Sequence, residues 1–139
     1  MPEIVFVDTS AWVGLFVEKD QHHADAVKAF EALEEDAPDL VTTDYVIAET
    51  VTRIRRQASH RSAAGVWDRL EGGESARIVE VDATHRRAAR RFFGKYDQLE
   101  LSLVDCVSFV VMKELGIEEA FTFDEDFRKA GYVTLPRKK

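Results

Sequence analysis

LSLVDCVSFVVMKELG, residues Leu101–Gly116, reads as a helix that opens with a carboxylate and is otherwise largely apolar. Ser102 is a favoured N-cap residue, and Asp105 stands three positions later, which is the spacing of a capping box. Because the later positions are apolar on most sides, this helix is predicted to lie in a hydrophobic core and to end near Gly116. Asp105, a charged residue at the exposed end of a core helix, has either a structural or a chemical role. The positions of the other acidic residues help to decide between them.

Length and composition bound the class of protein. A chain of 139 residues, 45% hydrophobic, predicts one domain over residues 1–139, with a basic tail at about 136–139. No apolar run approaches the ~20 residues of a membrane helix, and the N-terminus lacks the basic flank of a secretory signal. The single cysteine, Cys106, excludes an internal disulfide and a multi-cysteine zinc site, and it indicates a reducing cytoplasm. The net charge of −7 argues against nucleic-acid binding through overall charge, but it allows a local basic face or a metal that offsets the acids.

Short runs of β-branched and aromatic residues alternate with helical patterns along the chain. Glu3–Val7 is nearly all apolar, which favours a strand covered on both faces and therefore a parallel sheet. Helices are predicted from Ala11, from Asp20 to about Glu35, and from Thr43 or Asp44 to about Gln57. Further strands are predicted at Leu40–Thr42, Arg77–Val81, Glu119–Phe123 and Tyr132–Leu135. This alternation predicts an α/β domain with a parallel sheet.

Four acidic residues occupy comparable places in this pattern. Asp8 follows the first strand and Asp124 the fourth, while Glu49 and Asp105 lie in early turns of two helices. Since ligand sites of parallel sheets lie at the carboxyl ends of the strands, we expect the four carboxylates to converge there. Bare carboxylates repel one another, and a hard divalent cation such as Mg²⁺ or Mn²⁺ resolves that conflict. Such a site suits hydrolysis of a phosphodiester.

The same four acidic residues also have explanations other than a metal-dependent catalytic site. Each aspartate taken singly is more often a helix cap than a catalytic group, and Glu49 can pair with Arg53 at the i+4 position. A phosphate-transfer domain also places an aspartate after its first strand, but it usually has a second acid in that turn, where this chain has Asp8, Thr9 and Ser10. The matching positions of all four acids favour a catalytic site.

Four segments resemble the PIN-domain ribonucleases, and in particular the toxins of VapBC toxin–antitoxin pairs. They are VDTSAW at Val7–Trp12, IAET at Ile47–Thr50, LSLVDC at Leu101–Cys106 and FTFDEDF at Phe121–Phe127. The resemblance implies a PIN-like three-layer α/β/α sandwich with a central parallel sheet of about four to five strands. It also implies an endoribonuclease that cleaves RNA, commonly tRNA or rRNA, forms a homodimer and is inhibited by a small antitoxin.

The same resemblance implies a site for Mg²⁺, with Mn²⁺ able to substitute. Its residues are matched to Asp8, Glu49, Asp105 and Asp124. Asp126 is the alternative to Asp124, which is favoured by its position, and Ser10 matches a hydroxyl residue that supports the first aspartate. The alternatives are a PIN-fold module that binds RNA or protein without catalysis, and an RNA-processing PIN nuclease without an antitoxin.

Arginines supply candidate contacts for the RNA backbone, namely Arg53, Arg56, Arg61, Arg86 and Arg90. Helical spacing stacks Arg86 and Arg90 on one face. A solvated face that pairs with the many acidic residues also explains that stack and is the favoured explanation.

Overall fold

A computed structural model describes residues 3–137 and shows a central sheet in which all neighbouring strands are parallel. The strands within these residues are β1 (Ile4–Val7), β2 (Asp39–Thr43), β3 (Arg77–Val79), β4 (Glu119–Phe121) and β5 (Val133–Leu135). Their order in the sheet is β3-β2-β1-β4-β5. The predicted α/β class and parallel sheet are therefore confirmed, with five strands in the described part of the chain.

Helices connect the strands. Those in the described part of the chain are α1 (Thr9–Phe16), α2 (His23–Asp36), α3 (Asp44–Gln57), α4 (His60–Glu71), α5 (Ala83–Lys95), α6 (Leu103–Glu114) and α7 (Glu125–Lys129). No helix in residues 3–137 combines the length and apolar character that crossing a bilayer requires.

Strand β1 is the centre of the sheet and of the core. Val5, Phe6 and Val7 are all fully buried, and because successive side chains of a strand point to opposite faces, both faces of the sheet are covered. In register, Val5 pairs with Leu40 of β2, and Val7 pairs with Phe121 of β4. The residue after β1 is thus placed at the carboxyl edge of the sheet between two neighbouring strands.

Helix α6 is the core helix that its sequence predicts. Ser102 is its N-cap and forms a capping box with Asp105, and the residues from Asp105 to Met112 are all buried. Phe109 packs edge-to-face on Phe127 of α7, with ring centroids 4.8 Å apart. Gly116 has a φ of +68°, the left-handed conformation in which glycine commonly terminates a helix.

Two predicted helix starts were wrong. Helix α1 begins at Thr9 rather than Ala11, and Asp8 occupies its N-cap without a side-chain capping bond, because the carboxylate is engaged elsewhere. Helix α2 begins at His23 with His22 at its N-cap position instead of the predicted Asp20, which lies in the preceding turn and accepts a hydrogen bond from the backbone N–H of His22.

Two strands also end earlier than predicted. Strand β3 ends at Val79 rather than Val81, and β4 ends at Phe121 rather than Phe123. Of the predicted basic tail, residues 138–139 lie outside the described part of the chain.

Candidate active site

Asp8 is buried at the end of β1, and two hydroxyl groups hold its carboxylate. Thr122 Oγ1 donates to Asp8 Oδ2 at 2.8 Å, and Ser10 Oγ donates to the same oxygen at 3.1 Å. The parallel register explains the first contact: Val7 lies beside Phe121, so the next residues, Asp8 and Thr122, also lie side by side. Oδ2 of Asp8 therefore has a fixed position at the carboxyl edge of the sheet.

Both hydroxyls are themselves oriented by the backbone that follows β4. The N–H of Phe123 donates to Ser10 Oγ at 2.9 Å, and the N–H of Asp124 donates to Thr122 Oγ1 at 3.0 Å. With each oxygen accepting from an amide, each hydroxyl hydrogen is free to point at Asp8. Sequence reasoning did not identify Thr122 as a site residue, although it stands two positions before Asp124 in the FTFDEDF segment.

Asp105 enters the site from the first turn of α6. Its Oδ2 accepts a hydrogen bond from the backbone N–H of Ser102 at 3.1 Å, while Ser102 Oγ accepts one from the backbone N–H of Asp105 at 3.0 Å. Burial raises the pKa of Asp105 from 3.8 to about 7, and the charge of Asp8 adds to the rise. The cap therefore fixes a carboxyl group that is costly to ionise without a compensating positive charge.

Asp124 and Asp126 lie together at the start of α7. Asp124 is the N-cap residue, and its Oδ1 accepts from the backbone N–H of Asp126 at 2.9 Å. One carboxylate oxygen from each of Asp105, Asp124 and Asp126 lies within 4.8 Å of the other two. The structure thus brings both candidate aspartates of this segment to Asp105, instead of presenting one and excluding the other.

Mutual repulsion adds to burial throughout this cluster. Burial raises the pKa of Asp8 to about 6, against the opposing effect of the Thr122 hydrogen bond. Burial likewise raises the pKa of Asp124, and the charges of Asp126 and Glu49 contribute to the rise. The charge of the half-buried Glu49 also acts on Asp8 and Asp105. The four predicted acids are therefore within electrostatic reach of one another.

The donor set fits a hard divalent cation. Two oxygens on opposite sides of Mg²⁺ lie about 4.2 Å apart, so the spacing of Asp105, Asp124 and Asp126 needs only a small closure to share one ion. Among residues 3–137, no ion pair joins a lysine or arginine to Asp8, Asp105 or Asp124. A cation is thus the missing charge that would favour the ionised form of all these groups.

The predicted arginines divide into two groups. Arg53 acts on the site, because its charge opposes the rise in the pKa of Asp124. The alternative pairing of Glu49 with Arg53 does not occur in the described part of the chain, where no ion pair involves either residue. Arg53 and Arg56 line an open groove of about 540 Å³ that also includes Glu49.

The other three arginines are exposed and no described contact joins them to the acids of the site. The Arg90 guanidinium lies 6.0 Å from the ring centroid of Phe93, and the charge of Arg86 acts on Asp82. Arg61 lies in the first turn of α4. The predicted pairing of Arg86 and Arg90 with acidic residues is also not formed among residues 3–137.

Comparison with known proteins identifies relatives along nearly the whole chain. The family model for the PIN domain matches residues 5–132. The 23S rRNA-specific endonuclease VapC20 of Mycobacterium tuberculosis, in strains CDC 1551 / Oshkosh and ATCC 25618 / H37Rv, is 35% identical over 133 residues. That alignment covers 95% of this chain and 98% of VapC20.

Solved structures share the architecture. The crystal structure of M. tuberculosis VapC20, described as a sarcin–ricin loop cleaving toxin, superposes with a TM-score of 0.84 at 33% identity. The match covers 93% of this chain and 96% of VapC20. VapBC2 from Rickettsia felis, solved bound to a DNA fragment from its promoter, gives a TM-score of 0.69 at 12% identity, over 94% and 96% of the two chains, and shows a shared fold.

Proposed function

The chain belongs to the PIN-domain family, and on that premise we propose that it is a metal-dependent endoribonuclease, the toxin of a VapBC toxin–antitoxin pair. The observation that carries this proposal is the cluster of Asp105, Asp124 and Asp126, whose carboxylate oxygens lie within 4.8 Å of one another and on which the charge of Glu49 also acts, together with Asp8 at the end of β1. Buried carboxylates that raise one another's pKa are typical of catalytic sites, which favours a nuclease over a binding module without catalysis.

The acidic residues have distinct roles in this proposal. Asp105 and Asp124 hold the cation, which we propose to be Mg²⁺ or Mn²⁺, and Asp126 lies close enough to share or replace Asp124. Asp8 contributes through Oδ1, because Oδ2 already accepts the hydroxyls of Ser10 and Thr122. Glu49 adds negative charge at the mouth of the site, where it attracts the cation or orients its waters. When bound, the cation supplies a water of lowered pKa and stabilises charge on the phosphate oxygens.

The substrate and partners are inferred from the relatives. VapC20 acts on 23S rRNA and is described as cleaving the sarcin–ricin loop, and we propose the same RNA as the substrate of this chain. A small antitoxin protein is the proposed inhibitor, since VapBC2 is a toxin–antitoxin assembly of the same fold. Homodimer formation remains a prediction of the family resemblance, and a cytoplasmic location remains a prediction from the single cysteine, Cys106.

Cleavage of ribosomes and of an isolated sarcin–ricin stem-loop RNA tests the activity, with Mg²⁺, with Mn²⁺ and with a chelator. We expect cleavage by the wild-type protein with either metal and none with the chelator. Removing an outer-shell partner of a metal site typically lowers activity about 10- to 100-fold. We expect Asp8→Asn and Asp105→Asn each to lower the rate of RNA cleavage by more than that. Both substitutions keep the size of the side chain and an oxygen that accepts hydrogen bonds.

Asp97→Asn is the matched control, because Asp97 is an exposed carboxylate in the loop before α6. It should cleave RNA at the wild-type rate. Full activity of the Asp105→Asn protein, or undiminished cleavage in the chelator, would contradict the proposal.

A further inference from the structure

We propose that the groove along α3 binds single-stranded RNA beside the scissile phosphate, with Arg53 and Arg56 on phosphates and Tyr45 against a base. This inference rests on the proposed function, since it extends the same site, and it names which face of the protein the RNA strand follows.

The groove begins at the acidic site and continues away from it. Its volume is about 540 Å³, and its lining residues come from α3 and the first turn of α6, namely Tyr45, Ala48, Glu49, Thr52, Arg53, Arg56 and Val104. An α-helix rises 1.5 Å per residue, so Arg53 lies about 6 Å and Arg56 about 10 Å along the axis from Glu49. A strand whose phosphate sits at the acids can therefore place its next phosphates beside these arginines.

The two arginines are available for an anionic ligand. Both are exposed, and within residues 3–137 neither forms an ion pair with a carboxylate. Arg86 and Arg90 form no ion pair in that part of the chain either, so what distinguishes Arg53 and Arg56 is that they line the groove together with Glu49. Guanidinium groups bind phosphate through paired hydrogen bonds, and the charge of Arg53 already reaches Asp124.

The opposite side of the groove is less polar. Tyr45 and Ala48 lie one turn apart on α3, and Val104 faces them from α6. Tyr45 is half-buried, so its position is fixed by packing while part of its ring stays accessible. Aromatic rings in such positions stack on bases of a single strand, whereas a duplex keeps its base faces inside the stack. The groove therefore has one cationic wall, which can bind the phosphates of an unpaired strand, and one apolar wall, against which its bases can stack.

Binding of a fluorescein-labelled single-stranded RNA of about a dozen nucleotides, measured by anisotropy at several salt concentrations in chelator, tests the groove. Each phosphate contact to a single strand contributes about 0.7 to the slope of log affinity against log salt. We expect Arg53→Gln and Arg56→Gln each to lower that slope by about 0.7. Tyr45→Ala should weaken binding about 5- to 100-fold without changing the slope, and Tyr45→Phe should restore it.

Arg55→Gln is the matched control. It removes the same charge from the same helix, but Arg55 does not line the groove, because one residue turns the side chain about 100° around the axis. We expect its slope to equal that of the wild-type protein. A duplex RNA of the same length should show no dependence on Tyr45, and circular dichroism should show that each variant is folded.

The possible results separate the groove from the nuclease function. The proposal that the groove binds RNA would be rejected by unchanged slopes for Arg53→Gln and Arg56→Gln, or by no binding of the single strand to the wild-type protein. Either result would reject it even if the protein cleaves RNA with Mn²⁺. A lower slope for an Arg86→Gln/Arg90→Gln protein together with unchanged α3 variants would place the RNA on α5 instead. Groove binding without any cleavage of RNA would support the groove and reject the nuclease.

Discussion

Ser102 and Asp105 cap each other at the start of α6. The backbone N–H of Ser102 donates to Asp105 Oδ2 at 3.1 Å, and the backbone N–H of Asp105 donates to Ser102 Oγ at 3.0 Å. The same carboxylate lies within 4.8 Å of oxygens of Asp124 and Asp126. Asp105 thus caps the helix with one hydrogen bond and also places its charge in the acidic cluster, so the structural role does not exclude the proposed chemical one.

Ser102→Ala separates these two roles. Loss of the hydroxyl leaves the N–H of Asp105 without its acceptor, so we expect the free energy of unfolding to fall by about 1 kcal/mol. Urea denaturation followed by circular dichroism measures the change. Ser102→Thr, which retains the hydroxyl without adding a charge beside Asp105, is the control and should lose less; equal losses in the two variants would argue that the cap does not stabilise α6.

Thr122→Val removes a hydroxyl from Asp8 while keeping the shape of the side chain. Without the 2.8 Å hydrogen bond, Oδ2 loses one of its two hydroxyl donors. We expect cleavage to fall about 10- to 100-fold, as for other partners that orient metal ligands. The measurement is the rate of RNA cleavage across a titration of Mn²⁺, in which weaker metal binding appears as a shift to higher concentration.

Thr122→Ser is the control for that experiment, because it retains the hydroxyl and loses only a methyl group. Its rate should stay close to that of the wild-type protein. If Thr122→Val were equally active at low Mn²⁺, the hydroxyl would have no part in holding Asp8.

The stability of the metal-free protein should fall as the pH rises. The pKa values of Asp8 and Asp105, about 6 and about 7, exceed the ordinary value of 3.8. Between these values the folded protein holds more protons than the unfolded chain, so these two groups stabilise the fold at low pH and lose that contribution as the pH rises. We expect a higher Tm at about pH 5 than at about pH 8 in chelator.

Divalent cation should reverse this dependence, because it binds the ionised carboxylates and competes with protons. Mg²⁺ or Mn²⁺ should therefore raise Tm more at about pH 8 than at about pH 5. Differential scanning fluorimetry measures both effects. Asp105→Asn is the control and should flatten the pH dependence; a wild-type Tm insensitive to the cation at both pH values would count against the site.

His85 links α5 to α6 and should contribute to stability. Its Nδ1 accepts from the backbone N–H of Asp82 at 3.1 Å, which leaves Nε2 to donate to Glu114 Oε2 at 3.0 Å. His85 is buried, so we expect His85→Ala to lower the free energy of unfolding by about 1–3 kcal/mol in urea denaturation. Glu114→Gln retains an accepting oxygen and should cost less, and a loss as large as that of His85→Ala would assign the effect to the glutamate charge.

The sequence predicted the elements that carry strong periodicity or a clear cap. The core helix with its capping box, the buried first strand and the N-cap Thr43 of α3 all lie where the local pattern places them. The convergence of acids at the carboxyl edge was also inferable, because it follows from parallel strand order. The resemblance to PIN-domain ribonucleases and VapC toxins is confirmed by relatives that cover nearly the whole chain.

Contacts that depend on register were not predictable. Thr122 reaches Asp8 only because β4 pairs with β1 so that Phe121 lies beside Val7, and no local pattern sets that pairing. The start of α1 was predicted two residues too late because Asp8 occupies the N-cap position without a side-chain capping bond, while its carboxylate accepts from Ser10 and from Thr122. The sequence placed Arg53 four residues after Glu49, but it did not show that the charge of Arg53 acts on Asp124 while that of Arg86 acts on Asp82.

The position of β4 beside β1 has a consequence for the chain during its synthesis. Asp8, Glu49 and Asp105 emerge from the ribosome before Thr122, which follows them in the sequence and donates to Asp8. A nascent polypeptide that ends before β4 leaves the central strand with one free edge and Asp8 without its threonine. Because a domain generally folds as a unit, we expect the proposed nuclease activity to appear only after the segment that contains β4 and Thr122 has left the ribosome.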